Sequence, residues 1–334
     1  MRTAMLGVCH PRTRLDMIRA AGLGWVRIDA PFPWRGRVGQ VRPEYPVFRS
    51  RVAELAAAGL RVMAVTPYPR GWELPEAGEP GSPAFLETYR RACAFLAEDL
   101  GAFGPAWQVC NEMNLEMFRR PLDEPQALAY LRAGAEGLRA GDRGTQVGVN
   151  MAGFGPAALR MYGALYGEGA AGGPALDYVG TDGYFGSWEA GGPDDWPEHL
   201  NRLAALTGRP VVIQEFGYAS AGTVMTDAER RAHANSHALK KWGYGWAPAG
   251  AAPAHAPEIQ AAYGARCLEI FAAHSAVAGV FWYCWSDAER CWQCGAPDCP
   301  CETAWGLVTS DECEKPAYGA YRDAVRALFA PPAP

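Results

Sequence analysis

The sequence predicts a single-domain barrel of eight parallel β-strands, each followed by a helix: the (β/α)8, or TIM, barrel. Strand-like and helix-like runs alternate along all 334 residues, and the strand-like runs are almost continuously apolar, which is typical of parallel strands covered on both faces. An open doubly wound sheet is the alternative. The first strand-like run is followed by His10-Pro11-Arg12 rather than by a G-x-G-x-x-G motif, and this favours the barrel.

Eight short apolar runs are the predicted strands. They cover residues 3–9, 25–31, 61–67, 106–112, 146–152, 177–184, 210–216 and 278–285. Between them, apolar residues recur at helical spacing. The predicted helices cover residues 12–22, 45–59, 83–101, 124–140, 156–167, 195–207, 227–242 with 258–274, and 316–329. Several of these helices end at a glycine before the next strand (Gly22, Gly59 and Gly208), as helix C-termini commonly do.

We predict one catalytic barrel over residues 1–330 with two additions. Residues 219–257 form an insertion after the seventh strand, and its second half is rich in Gly, Ala and Pro, which predicts irregular structure. A cysteine-rich loop, residues 286–314, follows the eighth strand. Loops that follow strands rise from the C-terminal face of a barrel, where barrel enzymes build their sites.

Composition excludes some classes of partner. The net charge is −5 and the 31 Lys and Arg are dispersed, whereas a nucleic-acid binder gathers its basic residues into a patch. No run approaches the roughly 18 apolar residues that span a bilayer. The start Met1-Arg2-Thr3 leads directly into an apolar strand, so we expect a cytoplasmic protein, or a secreted one if a leader has been removed. Nothing in the composition indicates an oligomeric state.

Two glutamates end apolar strands. Asn111 and Glu112 end the fourth strand in "WQVCNEMN", and Glu215 ends the seventh in "PVVIQEFGY". A barrel brings these strand ends to opposite sides of one mouth. Glycoside hydrolysis needs such a pair of carboxyl groups, one to donate a proton and one to attack the sugar. One strand-end Glu alone would more simply be a solvated rim residue, but two at these strands favour catalysis.

Five segments resemble the clan A retaining glycoside hydrolases. "WQVCNEMN" resembles their strand-four segment, in which an Asn-Glu pair carries the acid/base, and "VVIQEFGY" resembles their strand-seven nucleophile segment. The C-terminal "VAGVFWYCWSD", "WGLVTSD" and "KPAYGAYRDAV" resemble strand eight, its loop and the last helix. The resemblance covers nearly the whole chain. It implies a hydrolase that retains configuration on β-linked oligo- or polysaccharides and uses no catalytic cofactor.

The resemblance also implies roles for single residues. Glu112 would be the acid/base and Glu215 the nucleophile, while Asn111 would bond the sugar 2-hydroxyl. Arg27 matches an arginine that keeps the nucleophile ionised, although a structural salt bridge explains it nearly as well. Tyr184 matches a tyrosine whose hydroxyl bonds the nucleophile.

On strand eight, Trp285 matches a tryptophan that forms the floor of the subsite for the cleaved sugar. Trp282 is the competing choice, because residues three apart face opposite sides of a strand. Strand six carries Asp182 where some relatives carry His, and we count Asp182 among the candidate substrate-binding residues. This departure disfavours a cellulase-like family and leaves mannanase-, glucanase- or galactosidase-like activity.

Aromatic and cysteine residues add further candidates. Trp34 and Trp188 lie in predicted loops of the C-terminal face, where indole rings stack on sugars, although loop packing would explain either one alone. Four cysteines, Cys291, Cys294, Cys299 and Cys301, lie within eleven residues. They predict a structural zinc site or disulfides: the missing signal peptide favours zinc, and the tight C-x4-C-x-C half favours disulfides. His233 and His237 have helical spacing but no H-E-x-x-H motif, so a solvated helix face is the simpler interpretation.

Two other classes of function remain open. A carbohydrate-binding barrel without catalysis would keep the cleft, but both glutamates argue against it. A metal-dependent isomerase or lyase would need His, Asp and Glu clustered at several strand ends. We find Asp29, Asp182 and the two glutamates there, and no histidine.

Overall fold

The computed structural model describes residues 5–167, 176–233 and 236–329. Its eight strands form one closed parallel barrel in chain order, β1 to β8, so the predicted (β/α)8 fold class is confirmed. The strands are β1 Met5–Cys9, β2 Trp25–Asp29, β3 Arg61–Val65, β4 Ala106–Gln108, β5 Val147–Val149, β6 Tyr178–Gly183, β7 Val211–Phe216 and β8 Val277–Trp282. Each lies inside or within one residue of a predicted run, because short apolar runs are the strongest pattern in the chain.

Helices follow the strands in the described residues. They are α1 Leu15–Ala20, α2 Glu44–Ala57, α3 Pro83–Leu100, α4 Glu116–Arg119, α5 Glu124–Gly141, α6 Pro156–Tyr166, α7 Trp196–Thr207, α8 Asp227–Ala232, α9 Ser236–Leu239, α10 Pro257–Ala273, α11 Pro300–Thr303 and α12 Pro316–Phe329. None of the described helices combines the length and apolar character that a bilayer span needs.

The predicted helix over 227–242 is instead two short helices, α8 and α9. Residues 243–256 contain no helix or strand, as their Gly, Ala and Pro content predicts. This irregular stretch is anchored by Tyr218, whose hydroxyl donates to the carbonyl oxygens of Trp246 and Ala254.

Strand four is shorter than predicted. Its ladder ends at Gln108, because Cys110 (φ 55°) and Glu112 (φ 47°) both adopt left-handed backbone conformations. Residues other than Gly, Asn and Asp rarely adopt this backbone conformation. The Asn111-Glu112 pair therefore lies in a tight turn directly after the strand. The alternation of side-chain directions along a strand does not predict which way these two side chains point.

The chain packs as two compact units. One comprises Trp25–Asp182 and Arg202–Gln214, and the other comprises Met1–Gly24, Gly183–Asn201 and Glu215–Pro334. In the first unit, α5 packs on α3 through glycines: a Cβ atom added at Gly137 would lie 2.1 Å from the Arg90 carbonyl oxygen. In the second unit, α10 packs against α12.

Candidate active site

The strand-four residues lie in a buried polar network. Arg27, at 1% exposure, donates from Nε to Gln108 Oε1 (2.6 Å) and from Nη2 to Asn111 Oδ1 (2.7 Å). Gln108 and Asn150 also donate to Asn111 Oδ1, at 2.9 Å and 2.8 Å. Three donors thus converge on one amide oxygen. They fix the orientation of the Asn111 side chain, with its NH2 group directed away from them.

Glu112 and Asp182 adjoin the same network. The backbone N–H of Glu112 donates to Asn150 Oδ1 (3.1 Å), and its side chain is mostly buried, with the residue 8% exposed. Asn150 Nδ2 also donates to Asp182 Oδ2 (2.5 Å), and Asp182 is fully buried at the end of β6. Asn150 therefore links the residues after β4 to the carboxylate on β6.

Glu215 near the end of β7 is paired with a tyrosine. The hydroxyl group of Tyr184 donates to Glu215 Oε2, and Glu215 is 7% exposed. The Tyr184 ring is held edge-on by Tyr283 (6.0 Å between centroids) and Trp305 (5.0 Å). The tyrosine thus fixes one carboxylate oxygen of Glu215 through a ring that is itself immobilised by its neighbours.

Two further residues near Glu215 were not predicted from the sequence. Tyr283, directly after β8, is half-buried, and its hydroxyl donates to Glu302 Oε2 (3.4 Å). Gln293 donates to the other Glu302 oxygen (2.6 Å). Burial, with a smaller contribution from the charge of Glu215, raises the pKa of Glu302 to about 7, although its hydrogen bonds act to lower this pKa. Glu302 belongs to the cysteine-rich loop, where no periodic pattern singles it out.

The two tryptophans weighed on strand eight are both fully buried. Trp285 donates from its ring nitrogen to Glu312 Oε1 (2.6 Å) and packs edge-on against Tyr318 of α12. Trp282 donates to the Trp305 carbonyl oxygen (3.0 Å). In this structure neither indole has an exposed face for a ligand. The half-buried aromatic residue next to this strand end is Tyr283.

The loop tryptophans differ in their surroundings. Trp34 is 4% exposed and packs against Phe32 and Phe95. Trp188 is half-buried and packs against His237 at 5.4 Å and Trp242 at 5.0 Å between ring centroids.

The expectation that no histidine stands at a strand end is wrong. His10 directly follows β1, so a histidine does stand at a strand end. It is exposed and packs edge-on against Tyr283, 5.7 Å away between ring centroids. Among the described residues, His10 does not belong to any group of side chains arranged to bind a metal.

The cysteine-rich loop brings three of its four predicted ligands together with a histidine. Cys291, Cys294 and Cys299 lie with His237 so that their ligand atoms are all within 4.8 Å of one another. The fourth predicted ligand, Cys301, directs its Sγ to the Lys241 carbonyl oxygen instead (3.7 Å). No disulfide bond joins the described cysteines.

Comparisons with known proteins give structural matches. No protein-family model and no curated protein matches the chain. The fold is similar to a family 39 glycoside hydrolase from Bacteroides cellulosilyticus WH2 (TM-score 0.67, 19% identity), with 98% of this chain and 64% of that chain covered. GH5_18 from Streptomyces cattleya, in complex with GlcNAc, gives a TM-score of 0.67 at 18% identity, with 100% and 82% covered.

The exo-β-1,4-mannosidase Op5Man5 from Opitutaceae bacterium strain TAV5 gives a TM-score of 0.63 at 16% identity, with 98% of this chain and 60% of that chain covered. The chain therefore spans less than two thirds of the length of this mannosidase and of the family 39 protein. At such identities the likeness shows the fold. This chain has the barrel fold that these glycoside hydrolases share.

Proposed function

We propose that this chain is a clan A retaining glycoside hydrolase that cleaves β-linked sugars by double displacement. The observation that carries the proposal is the buried Glu215 carboxylate, fixed by the Tyr184 hydroxyl at the end of β7. An Asn-Glu pair follows β4. All strands of a parallel barrel end at the same rim, and this topology supports the proposal that Glu112 and Glu215 act on the same substrate. The glycoside hydrolase neighbours support this choice.

In the first step, one oxygen of Glu215 attacks the anomeric carbon while Glu112 donates its proton to the departing glycosidic oxygen. The carbon–oxygen bond to the leaving group breaks, and a glycosyl ester on Glu215 forms. The Tyr184 hydroxyl donates to Oε2 of Glu215 and so helps to fix the orientation of the carboxylate for this attack.

In the second step, the Glu112 carboxylate takes a proton from water, and the water oxygen attacks the anomeric carbon. The ester bond to Glu215 breaks, which frees its carboxylate and releases the sugar. Two inversions at one carbon restore the starting configuration.

Asn111 has the geometry to recognise a sugar hydroxyl. Its Oδ1 accepts from Arg27, Gln108 and Asn150, so the NH2 group is the end that remains to donate to a ligand. A donor held in this way costs little reorganisation when it meets the 2-hydroxyl. Arg27, by this argument, positions Asn111, in addition to the predicted role beside the nucleophile.

The substrate class follows from the rings near Glu215 and from the neighbours. Tyr283 and Tyr184 are half-buried and follow β8 and β6 directly, and aromatic rings stack on the C–H faces of pyranoses. Structures with the same fold include a β-1,4-mannosidase and an endo-β-1,3-glucanase in complex with laminaripentaose. We therefore place β-mannosides and β-glucosides first among the substrates to test, with β-galactosides next.

The experiment compares wild type, Glu215→Ala and Glu112→Ala on aryl β-glycosides and β-mannan, β-glucan and galactan polymers. Glu215→Ala should abolish hydrolysis, and azide should restore turnover with a glycosyl azide of inverted configuration. Glu112→Ala should lose about 10²–10⁴-fold on substrates with poor leaving groups and much less on activated aryl glycosides.

Near-wild-type hydrolysis by Glu215→Ala would refute the nucleophile assignment. Sugar binding by wild type without turnover of any substrate would instead support a carbohydrate-binding barrel. Loss of activity on exhaustive chelation, with both alanine variants active, would favour the metal-dependent class.

A further inference from the structure

The loops after β7 and β8 meet at a cluster of three cysteines and one histidine. The Nδ1 atom of His237, on α9, lies 3.4 Å from the Sγ atoms of both Cys291 and Cys299. Cys294 completes the group, whose four ligand atoms all lie within 4.8 Å of one another. The ligands come from two separate segments of chain, so the sequence spacing alone does not reveal the set.

We propose that His237, Cys291, Cys294 and Cys299 bind a structural zinc ion. Three thiolates and one imidazole are a common tetrahedral zinc set. With zinc bonds of about 2.3 Å to sulfur and 2.0–2.1 Å to nitrogen, a tetrahedron has S···N edges of about 3.6 Å. The two Sγ···Nδ1 distances of 3.4 Å match such edges closely. The protein supplies all four ligands, which characterises a closed structural site rather than a catalytic one.

The proposal changes the fourth ligand that the cysteine spacing suggests. Cys301 Sγ is engaged with the Lys241 carbonyl oxygen at 3.7 Å and lies outside the group of four. Both cysteines of the tight C-x-C pair pack with Trp242 and Trp305 in a buried apolar cluster, but only Cys299 belongs to the ligand group.

The site would hold the loop that reaches the candidate active site. Gln293 lies between the second and third ligands of the set, and its side chain donates to Glu302 Oε1 (2.6 Å). A metal at this cluster therefore fixes Gln293, and through it Glu302 and the partner Tyr283.

A salt bridge also joins the two segments that supply the ligands. Lys240, one residue after α9, bonds both carboxylate oxygens of Asp298 at 2.6 Å and 2.7 Å. Asp298 immediately precedes the ligand Cys299. Zinc binding takes one proton from each of the three thiols and leaves a net charge of −1 on the zinc and its ligands, which a neighbouring ammonium group stabilises.

The test measures zinc per full-length chain by mass spectrometry after purification with zinc and a reductant. Wild type should hold zinc equimolar with protein. Replacement of zinc by Co²⁺ should give the ligand-field absorption of a tetrahedral thiolate site. These readouts do not depend on glycosidase activity, so failure here leaves the proposed function untouched.

Two matched pairs of variants test the ligand set. Cys294 and Cys313 are both exposed cysteines of the same region, so Cys294→Ser should lose the metal while Cys313→Ser keeps it, with little risk to folding in either. His237→Ala should lose the metal, and Cys301→Ser should keep it. A wild-type protein with reduced thiols and no zinc would overturn the proposal. So would zinc retention in His237→Ala together with zinc loss in Cys301→Ser, which would identify the four-cysteine set.

Discussion

At the scale of the residue, the polar groups of the candidate site are already held by hydrogen bonds within the protein. Asn111 accepts three hydrogen bonds at one oxygen, and Glu215 accepts one from a tyrosine held by two aromatic rings. Side chains fixed in this way lose little conformational entropy when substrate binds. Little of the binding free energy is therefore offset by the cost of ordering the protein.

The Tyr184–Glu215 hydrogen bond predicts the effect of Tyr184→Phe. Loss of a hydrogen bond to a charged group costs about 1.5–3 kcal/mol, so kcat/KM should fall about 10- to 150-fold. Steady-state kinetics on the best aryl glycoside measures it. Tyr45 makes a comparable bond to Asp99 (2.6 Å) between α2 and α3, and Tyr45→Phe should leave kcat/KM unchanged. Equal losses in both variants would mean that Tyr184 acts only through stability.

At the scale of the element, sequence patterns predict where strands lie better than where they end. The apolar run through "WQVCNE" predicts a strand to residue 112, but left-handed backbone at Cys110 and Glu112 ends the ladder at Gln108. Periodicity carries no information about a single residue with positive φ. The predicted acid/base nevertheless follows the strand end, because the change from apolar to polar residues marks the same boundary.

Helices α3 and α5 show close packing that depends on glycine. A Cβ atom at Gly137 would meet the Arg90 carbonyl oxygen at 2.1 Å and Cys93 Cβ at 2.8 Å. Since these are backbone and core atoms, the helices would have to move apart, and such overpacking costs about 1–3 kcal/mol. We therefore expect Gly137→Ala to lower the free energy of unfolding, measured in urea, by about that amount.

The matched control for this prediction is Gly163 in α6, where an added Cβ would meet nothing within 4 Å. Gly163→Ala should be neutral or stabilise by about 0.5–1 kcal/mol, because alanine favours a helix interior. If both variants were stabilised equally, the contact between α3 and α5 would not require glycine.

At the scale of the whole molecule, the barrel could be predicted and much of the site chemistry could not. Eight apolar runs suffice to indicate the fold, since parallel strands must be covered on both faces. Glu112, Glu215 and Tyr184 stand at strand ends, where topology selects them. Tyr283 follows β8, while Glu302 and His237 lie in the short helices α11 and α9, where no sequence pattern singles them out. Only the folded backbone brings His237 beside cysteines 54 or more positions away.

Stability of the whole chain should depend on pH through two carboxyl groups, one on the buried Glu302 and one on the half-buried Glu189. Burial raises the pKa of both Glu189 and Glu302 to about 7, from 4.5. The folded protein therefore binds protons that the unfolded chain releases. The stabilisation that results from this proton binding is fully present below about pH 4.5, and it is lost as pH rises through about 7.

Urea unfolding between pH 5 and pH 8 measures this effect in wild type and in the double variant Glu189→Gln/Glu302→Gln. The amides resemble the protonated acids, so the wild-type free energy of unfolding should fall with pH relative to the variant. Burial lowers the pKa of His255 to about 4, which gives the opposite trend in the lower part of the range, but His255 is present in both proteins and its effect cancels. Parallel curves would show that the two carboxyl groups titrate alike in the folded and unfolded states.

The meeting of His237 with Cys291 and Cys299 also has a consequence for loop engineering. Barrel enzymes are often remodelled by exchanging one loop at a time, on the assumption that each loop is an independent module. Here the segments 236–239 and 291–302 share one cluster, so a graft that replaces either alone would leave unmatched thiols or an unmatched imidazole. The two segments should be transplanted, shortened or diversified as a pair.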